Sequence, residues 1–250
     1  METVSVLVAQ LPRPEAFRKL SKLAECDENR IALRLAPGLM AKCVLAANSS
    51  KTREYAYELL HNLAASPENK VPIFNEPELV PNIVSAMLGQ RTVYRGAGVL
   101  HQLSGASENV VPMHETPYLV HAAVEATKVG RYDTVMDGLG LILNLSTVDH
   151  DQFFFGVAPT VLRYVRCSNV HMKRLGISTM GNLSTYPHNC DSISLADFHD
   201  AAKHDDPIIR EGAERVIRNV NWVHTKRKLT ALAGYGGTAV ILVSVCRRWF

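Results

Sequence analysis

The sequence predicts an all-α protein: a helical solenoid over residues 1–225, followed by a C-terminal transmembrane helix within residues 226–250. Three observations predict it. Residues 60–80 and 100–120 align without gaps and match at ten of 21 positions, and self-similarity at an offset of 40 is the mark of stacked helical repeats. Small and apolar residues recur at fixed offsets with a helical period. Finally, the chain runs uncharged from Leu229 to Cys246, with basic residues on both sides.

The repeat comes first. Leu60-His61, Leu63, Glu68-Asn69, Val71-Pro72, Pro77 and Leu79-Val80 reappear as Leu100-His101, Leu103, Glu108-Asn109, Val111-Pro112, Pro117 and Leu119-Val120. Counted from a central polar residue, the pattern has six origins: Lys22, Asn62, Gln102, Asn144, Asn182 and Asn219, separated by 40, 40, 42, 38 and 37 residues. Six positions before each stands a small residue (Ala16, Ala56, Gly96, Gly138, Gly176, Ala213), which is expected to let neighbouring long helices approach closely. Two positions before it is Leu20, Leu60, Leu100, Ile142, Met180 or Ile217, and one after it Leu23, Leu63, Leu103, Leu145, Leu183 or Val220. Offsets of −6, −2 and +1, joined in most units by an apolar −3, form one stripe at 3.6 residues per turn, which a strand period of two would scatter.

The remaining elements follow from the same phasing. Seven residues after the first five origins come Asn29, Asn69, Asn109, Asp151 and Asn189, residue types that cap helix N-termini with a short side-chain acceptor. A long helix is therefore expected to end near origin +4 and a short one to begin just after +7. Pro37, Pro77, Pro117 and Pro159 precede further apolar runs such as 78–88 and 118–127, and proline suits a helix start because the N–H that it lacks is unpaired there. Each unit reads as short helix, middle helix, long helix.

With Leu-His-Asn-Leu-Ala-Ala-Ser-Pro-Glu-Asn-Lys at 60–70 and Asn-Leu-Ser at 144–146 and 182–184, residues 12–224 resemble the armadillo-repeat family. The resemblance implies a right-handed superhelix whose long third helices line a concave groove, where an Asn of each third helix holds the backbone of an extended peptide. Carried over, the peptide-binding candidates are Asn62, Gln102, Asn144, Asn182 and Asn219, with Gln102 and Lys22 departing from the Asn ladder. Nuclear-import adaptors of the family also carry Trp four residues before the Asn. Here those places hold Glu58, Gly98, Gly140, Ser178 and Arg215, which disfavours that reading. The alternative for the amides is structural: an amide donates and accepts at once, so it can tie neighbouring helices together.

At the C-terminal end, eighteen helical residues from Leu229 to Cys246 extend about 27 Å, near the roughly 30 Å of bilayer hydrocarbon. Lys226, Arg227 and Lys228 precede the run, and Arg247, Arg248 and Trp249 follow it; these six are the expected membrane-interface residues, with 229–246 in contact with lipid. Ala233 with Gly237 and Gly234 with Thr238 have the small-xxx-small spacing of close membrane-helix contacts. A short span with basic residues beyond it resembles mitochondrial tail anchors, and this implies a mitochondrial membrane. The alternative is a helix or strand folded as a cap on the last repeat.

Composition excludes other classes. At 47% apolar and 20% charged the chain is neither disordered nor collagenous. Five cysteines without repeated spacing and no Sec-type signal argue against a disulfide framework. The formal charge of +3 comes from the tail: without Lys226, Arg227, Lys228, Arg247 and Arg248 the body holds 22 basic against 24 acidic residues, which is not the footprint of a nucleic-acid binder. Gly234-Tyr235-Gly236-Gly237-Thr238-Ala239 has the letters of a dinucleotide fingerprint but no room for the acidic residue about 20 positions later. No Walker motif, C-x-x-C or H-E-x-x-H occurs. The cluster His199, His204, Asp205, Asp206 has no recognised metal spacing, and no cofactor or metal is expected. The reading is a non-catalytic protein-interaction scaffold held in a membrane, an accessory subunit of a mitochondrial membrane complex. The alternatives are a soluble adaptor gripping an extended peptide and, for want of any catalytic constellation, more remotely an enzyme.

Overall fold

A computed structural model describes residues 3–89, 93–148 and 156–234, and all regular structure among them is helical. The chain forms two compact units, residues 1–154 and 155–250. The first begins with α1 (Val4–Gln10) and α2 (Pro14–Ala24) and continues in three triplets: α3 (Asp27–Arg34), α4 (Leu39–Asn48), α5 (Arg53–Ala64); α6 (Pro67–Phe74), α7 (Leu79–Leu88), α8 (Val93–Ser104); and α9 (Ser107–Glu115), α10 (Leu119–Ala126), α11 (Tyr132–Leu145). The second holds α12 (Ala158–Val165), α13 (Val170–Leu183), α14 (Pro187–Cys190), α15 (Leu195–Ala201) and α16 (Pro207–Gly234). Every origin of the sequence pattern falls in a third helix: α2, α5, α8, α11, α13 and α16. The last of these runs unbroken across 225–226, where the charge pattern suggests a boundary; residues 235–250 lie outside the described residues.

The phased stripe is the core. Leu63, Leu103, Leu145, Leu183 and Val220 at +1 and Leu20, Leu60, Leu100, Ile142 and Met180 at −2 are all fully buried. The exceptions are Leu23, 36% exposed, and Ile217, which is half-buried. The −6 positions are buried as expected, but the partner differs. A Cβ on Gly96 would stand 2.7 Å from Met87 Cγ on α7, one on Gly138 3.0 Å from the Ala123 carbonyl on α10, and one on Gly176 3.0 Å from Tyr164 Cβ on α12. The small residue therefore seats the third helix on the middle helix of its own repeat, and not on a neighbouring third helix.

The Asn at +7 also does a different job from the expected one. Asn29, Asn69, Asn109 and Asn189 are the third residues of α3, α6, α9 and α14, while the N-cap positions belong to Cys26, Ser66, Ala106 and Tyr186. Each Asn turns back and donates Nδ2 to the +1 carbonyl of the preceding third helix: Leu23, Leu63, Leu103 and Leu183, at 2.9–3.0 Å. Asn69 and Asn109 also donate to Arg30 O and Lys70 O in the repeat before, at 3.0 and 3.2 Å, and so link three helices from one buried amide. Short polar side chains were the right signal, but the groups that they serve are helix-end carbonyls, to which each Asn adds a second donor beside a backbone N–H at 3.2–3.3 Å. Beside them Arg30 Nε, Arg53 Nε and Lys70 Nζ donate to Ala24 O, Ala47 O and Ala64 O at 2.9 Å, cations placed where the helix dipole is negative. Asp151, the fifth candidate cap, lies outside the described residues.

Gly38, Glu78 and Tyr118 each precede a middle helix, 40 residues apart, with φ of 76°, 60° and 62°. Only glycine adopts this conformation freely; a side chain there costs about 1–2 kcal/mol. Tyr118 is 73% exposed and has little packing to lose. Tyr118→Gly is therefore expected to raise stability by about 1 kcal/mol, read as a higher urea midpoint at unchanged slope.

Candidate partner-binding groove

With the apolar stripe turned inward, each third helix presents its origin and the −1 and −4 positions on the opposite, polar face. In the first unit this face belongs to α2, α5, α8 and α11. Asn62 Nδ2 donates to Ser21 O at 3.1 Å, and Asn144 Nδ2 to Ser104 Oγ at 3.0 Å. Gln102 takes the place of the ladder's second Asn: its Nε2 lies 3.5 Å from His61 Nε2, and Lys70 Nζ donates to its Oε1 at 3.2 Å. Lys22 is exposed and pairs with Glu25 at 2.9 Å. In the second unit Asn182 is half-buried on α13, and Asn219 on α16 donates Nδ2 to Gly181 O at 3.2 Å and Ser184 Oγ at 2.9 Å. The amide N–H groups of Asn62, Asn144 and Asn219 thus tie each third helix to the one before it.

The floor between these amides is built by size complementarity that the sequence reading passed over. Where the −1 residue of one third helix meets the −4 residue of the next, one side chain is large and the other is absent. A Cβ on Gly98 would stand 3.4 Å from His61 Cδ2, and one on Gly140 2.6 Å from His101 Cε1. In the second unit the order is reversed: a Cβ on Gly181 would stand 2.6 Å from Arg215 Cζ. The His101 imidazole therefore lies on the backbone of Gly140 and the Arg215 guanidinium on that of Gly181, whereas at Gly98 the nearer group is Asp137 Oδ2, 3.1 Å from where a Cβ would stand. The signal lies in the string of −1 and −4 residues, but periodicity alone does not show that the −1 residue of one third helix meets the −4 residue of the next.

Charges in the first unit are matched across the groove. Arg95 Nη2 pairs with Glu58 at 3.1 Å, and His101 Nδ1 donates to Asp137 Oδ1 at 3.0 Å. Burial holds the His61 imidazole below its ordinary value, partly opposed by the Asp137 carboxylate. Guanidinium groups also cover aromatic rings along this edge, Arg18 over Tyr55 at 5.1 Å and Arg131 over Tyr94 at 4.3 Å.

Of the expected membrane-interface residues, Lys226 and Lys228 are exposed on α16. Arg227 is engaged by the last repeat, pairing with Asp191 and donating Nη2 to Pro187 O at 2.9 Å. Arg247, Arg248 and Trp249 lie outside the described residues, as does most of the 229–246 run, and among the described residues no single helix is long and apolar enough to cross a membrane. Asp206 of the His-Asp cluster caps α16, accepting from Ile208 N at 3.0 Å and Ile209 N at 3.2 Å, and Arg174 holds its carboxyl below the usual range. No group of three His, Cys, Asp or Glu side chains placed to hold a metal occurs among the described residues.

No family model and no curated protein matches the sequence. Solved structures do. An engineered protein superposes with a TM-score of 0.76 at 15% identity, covering 89% of this chain and 98% of that one. A designed armadillo repeat protein reaches 0.76 at 12% identity, covering 87% of this chain and all of that one. Another, in complex with the peptide (KR)4, reaches 0.74 at 13%, covering 88% of this chain and all of that one. At these identities the likeness establishes the fold: the chain has the armadillo-repeat fold.

Proposed function

We propose that the chain is a non-catalytic protein-binding scaffold that takes an extended segment of a partner along its third helices, and that its C-terminal segment holds it in a membrane as an accessory subunit of a mitochondrial membrane complex. The observation that carries the binding reading is the groove floor. Gly98, Gly140 and Gly181 sit inside helices, where each is about 1 kcal/mol less favourable than alanine; in the first unit the glycines make room for the imidazoles of His61 and His101, and in the second Gly181 makes room for the Arg215 guanidinium, each beside amides of the third helices. A designed armadillo relative of the same fold is in complex with a peptide.

Support for the membrane part comes from the charge pattern. The uncharged run 229–246 begins within α16, directly after its exposed residues 224–228, and basic residues flank it on both sides. The mitochondrial part rests on the resemblance to tail anchors of that organelle.

Two measurements test the parts separately. A photo-crosslinking residue at Thr147 or Thr185, exposed in the turns that follow α11 and α13 three residues after Asn144 and Asn182, is expected to trap a polypeptide in cells, whereas the same residue at Leu45, on the middle helix α4, is not. Equal trapping at all three sites would sink the groove reading. In carbonate extraction the full chain is expected in the pellet and a chain lacking 229–250 in the supernatant. A soluble full chain would remove the membrane part and leave the scaffold.

A further inference from the structure

The two units differ in one electrostatic respect. In the first, Arg95 and His101 each face a carboxylate, Glu58 and Asp137. In the second, Arg215 pairs with no carboxylate among the described residues; its one hydrogen bond is from Nη2 to the Ser178 carbonyl at 3.1 Å. The guanidinium has five N–H donors, so most of its capacity is left for a ligand. Gly181 makes the seat: with any side chain there, Arg215 would have to leave the floor. Arg218, three residues on, meets Glu214 only at 3.8 Å on an exposed surface, a contact that contributes little. Trp222, 40% exposed, stands seven residues after Arg215, about 20° round the helix. Arginine and tryptophan are the residue types that dominate binding energy at protein interfaces.

Resting on the scaffold reading, we infer that the polar face of α13 and α16 binds an extended acidic segment of a partner protein, with Arg215 and Arg218 holding its carboxylates and Trp222 packing against its apolar atoms. Charge decides the class of ligand. A basic segment would set like charges against two guanidinium groups. Nucleic acid binds through many phosphate contacts, and this face offers only Arg215 and Arg218; Glu211 and Glu214, exposed on the same helix, confine the carboxylates of an acidic segment to these two guanidinium groups.

The test uses the full chain and end-blocked octapeptides (Asp-Glu)4, (Lys-Arg)4 and (Gly-Ser)4, with a single-stranded dT12 as the polyanion control, by calorimetry at 50 and 200 mM salt. (Asp-Glu)4 is expected to bind best and to weaken at the higher salt. Arg215→Gln and Trp222→Ala should each weaken it about tenfold, and Arg218→Gln less, while Leu45→Ser, exposed on the middle helix α4 of the first unit, leaves it unchanged. Circular dichroism melts confirm that each variant is folded, and Arg218→Gln keeps the test open if Arg215→Gln is not. Preference for (Lys-Arg)4 or (Gly-Ser)4 would overturn the acidic assignment and leave the scaffold standing. Binding of (Asp-Glu)4 that ignores Arg215 and Trp222, equal binding of dT12, or no octapeptide binding at all would overturn the site; the crosslinking at Thr147 and Thr185 judges the scaffold independently.

Discussion

Gly176→Leu is expected to destabilise the second unit by about 3 kcal/mol, the upper end of what overpacking a filled interface costs. The reason is what stands around Gly176. A first side-chain carbon would already lie 3.0 Å from Tyr164 Cβ, 3.1 Å from the Tyr164 carbonyl carbon and 3.1 Å from the Val165 nitrogen, and two of those three neighbours are backbone atoms of α12 that cannot rotate away. Leucine adds three further carbons, so α13 must lift from α12. Ser178→Leu supplies the control on the same helix. Ser178 is half-buried, about 200° round from Gly176, and the group that Arg215 uses there is its backbone carbonyl, which the substitution keeps. Thermal melts should show a large drop for the first change and a small one for the second. Comparable drops would mean that the buried stripe is assigned to the wrong face.

Asn69→Ala is expected to cost a similar amount, about 3 kcal/mol, because it removes three hydrogen bonds at once from a buried site: the Leu63 carbonyl keeps only the bond from Ser66 N at 3.3 Å, and Arg34 Nε loses its acceptor. Asn69 is fully buried; it donates to Leu63 O and Arg30 O, both at 3.0 Å, and its Oδ1 accepts from Arg34 Nε at 2.7 Å. Asn69→Asp is the sharper variant. It retains size and the acceptor for Arg34 but turns an oxygen toward two carbonyls. Urea denaturation should place the aspartate variant at or below alanine. If Asn69→Asp were instead harmless, the amide would be serving as the N-cap that its residue type suggested.

The sequence disclosed the repeat because packing imposes it. Leu60, Leu63, Leu100 and Leu103 are fully buried, and burial enforces apolar character at a fixed angle on each helix. What the small −6 residue touches was not legible in the same way. Spacing identifies the face of a helix that is crowded, but Gly138 could have met either a third helix or α10, and only three-dimensional packing chooses between them. The Asn residues at +7 were misplaced for a related reason: a short amide satisfies orphan N–H and orphan C=O groups equally well, so residue type cannot say at which helix end it works. The candidate site was legible one residue at a time, as Asn62, Asn144, Asn182 and Asn219. Its floor was not, because His101 gains meaning only beside Gly140, 39 residues away, and Gly181 only beside Arg215.

These large-and-absent pairs govern how the groove can change over generations. Neither member is free to drift alone. A side chain at Gly140 collides with His101, and loss of the His101 ring leaves a hollow over bare helix and strands Asp137. A change at one member is therefore expected to be best tolerated when its partner changes with it. The reversal between units, with the ring before the glycine at His101 and Gly140 but the glycine before the guanidinium at Gly181 and Arg215, is two solutions to the same constraint. Swapping both members of one pair, His101→Gly with Gly140→His, should restore much of the stability that either single change removes, a positive coupling of the kind that contacting residues show. Recognition would then be re-lettered locally without disturbing the stack beneath it.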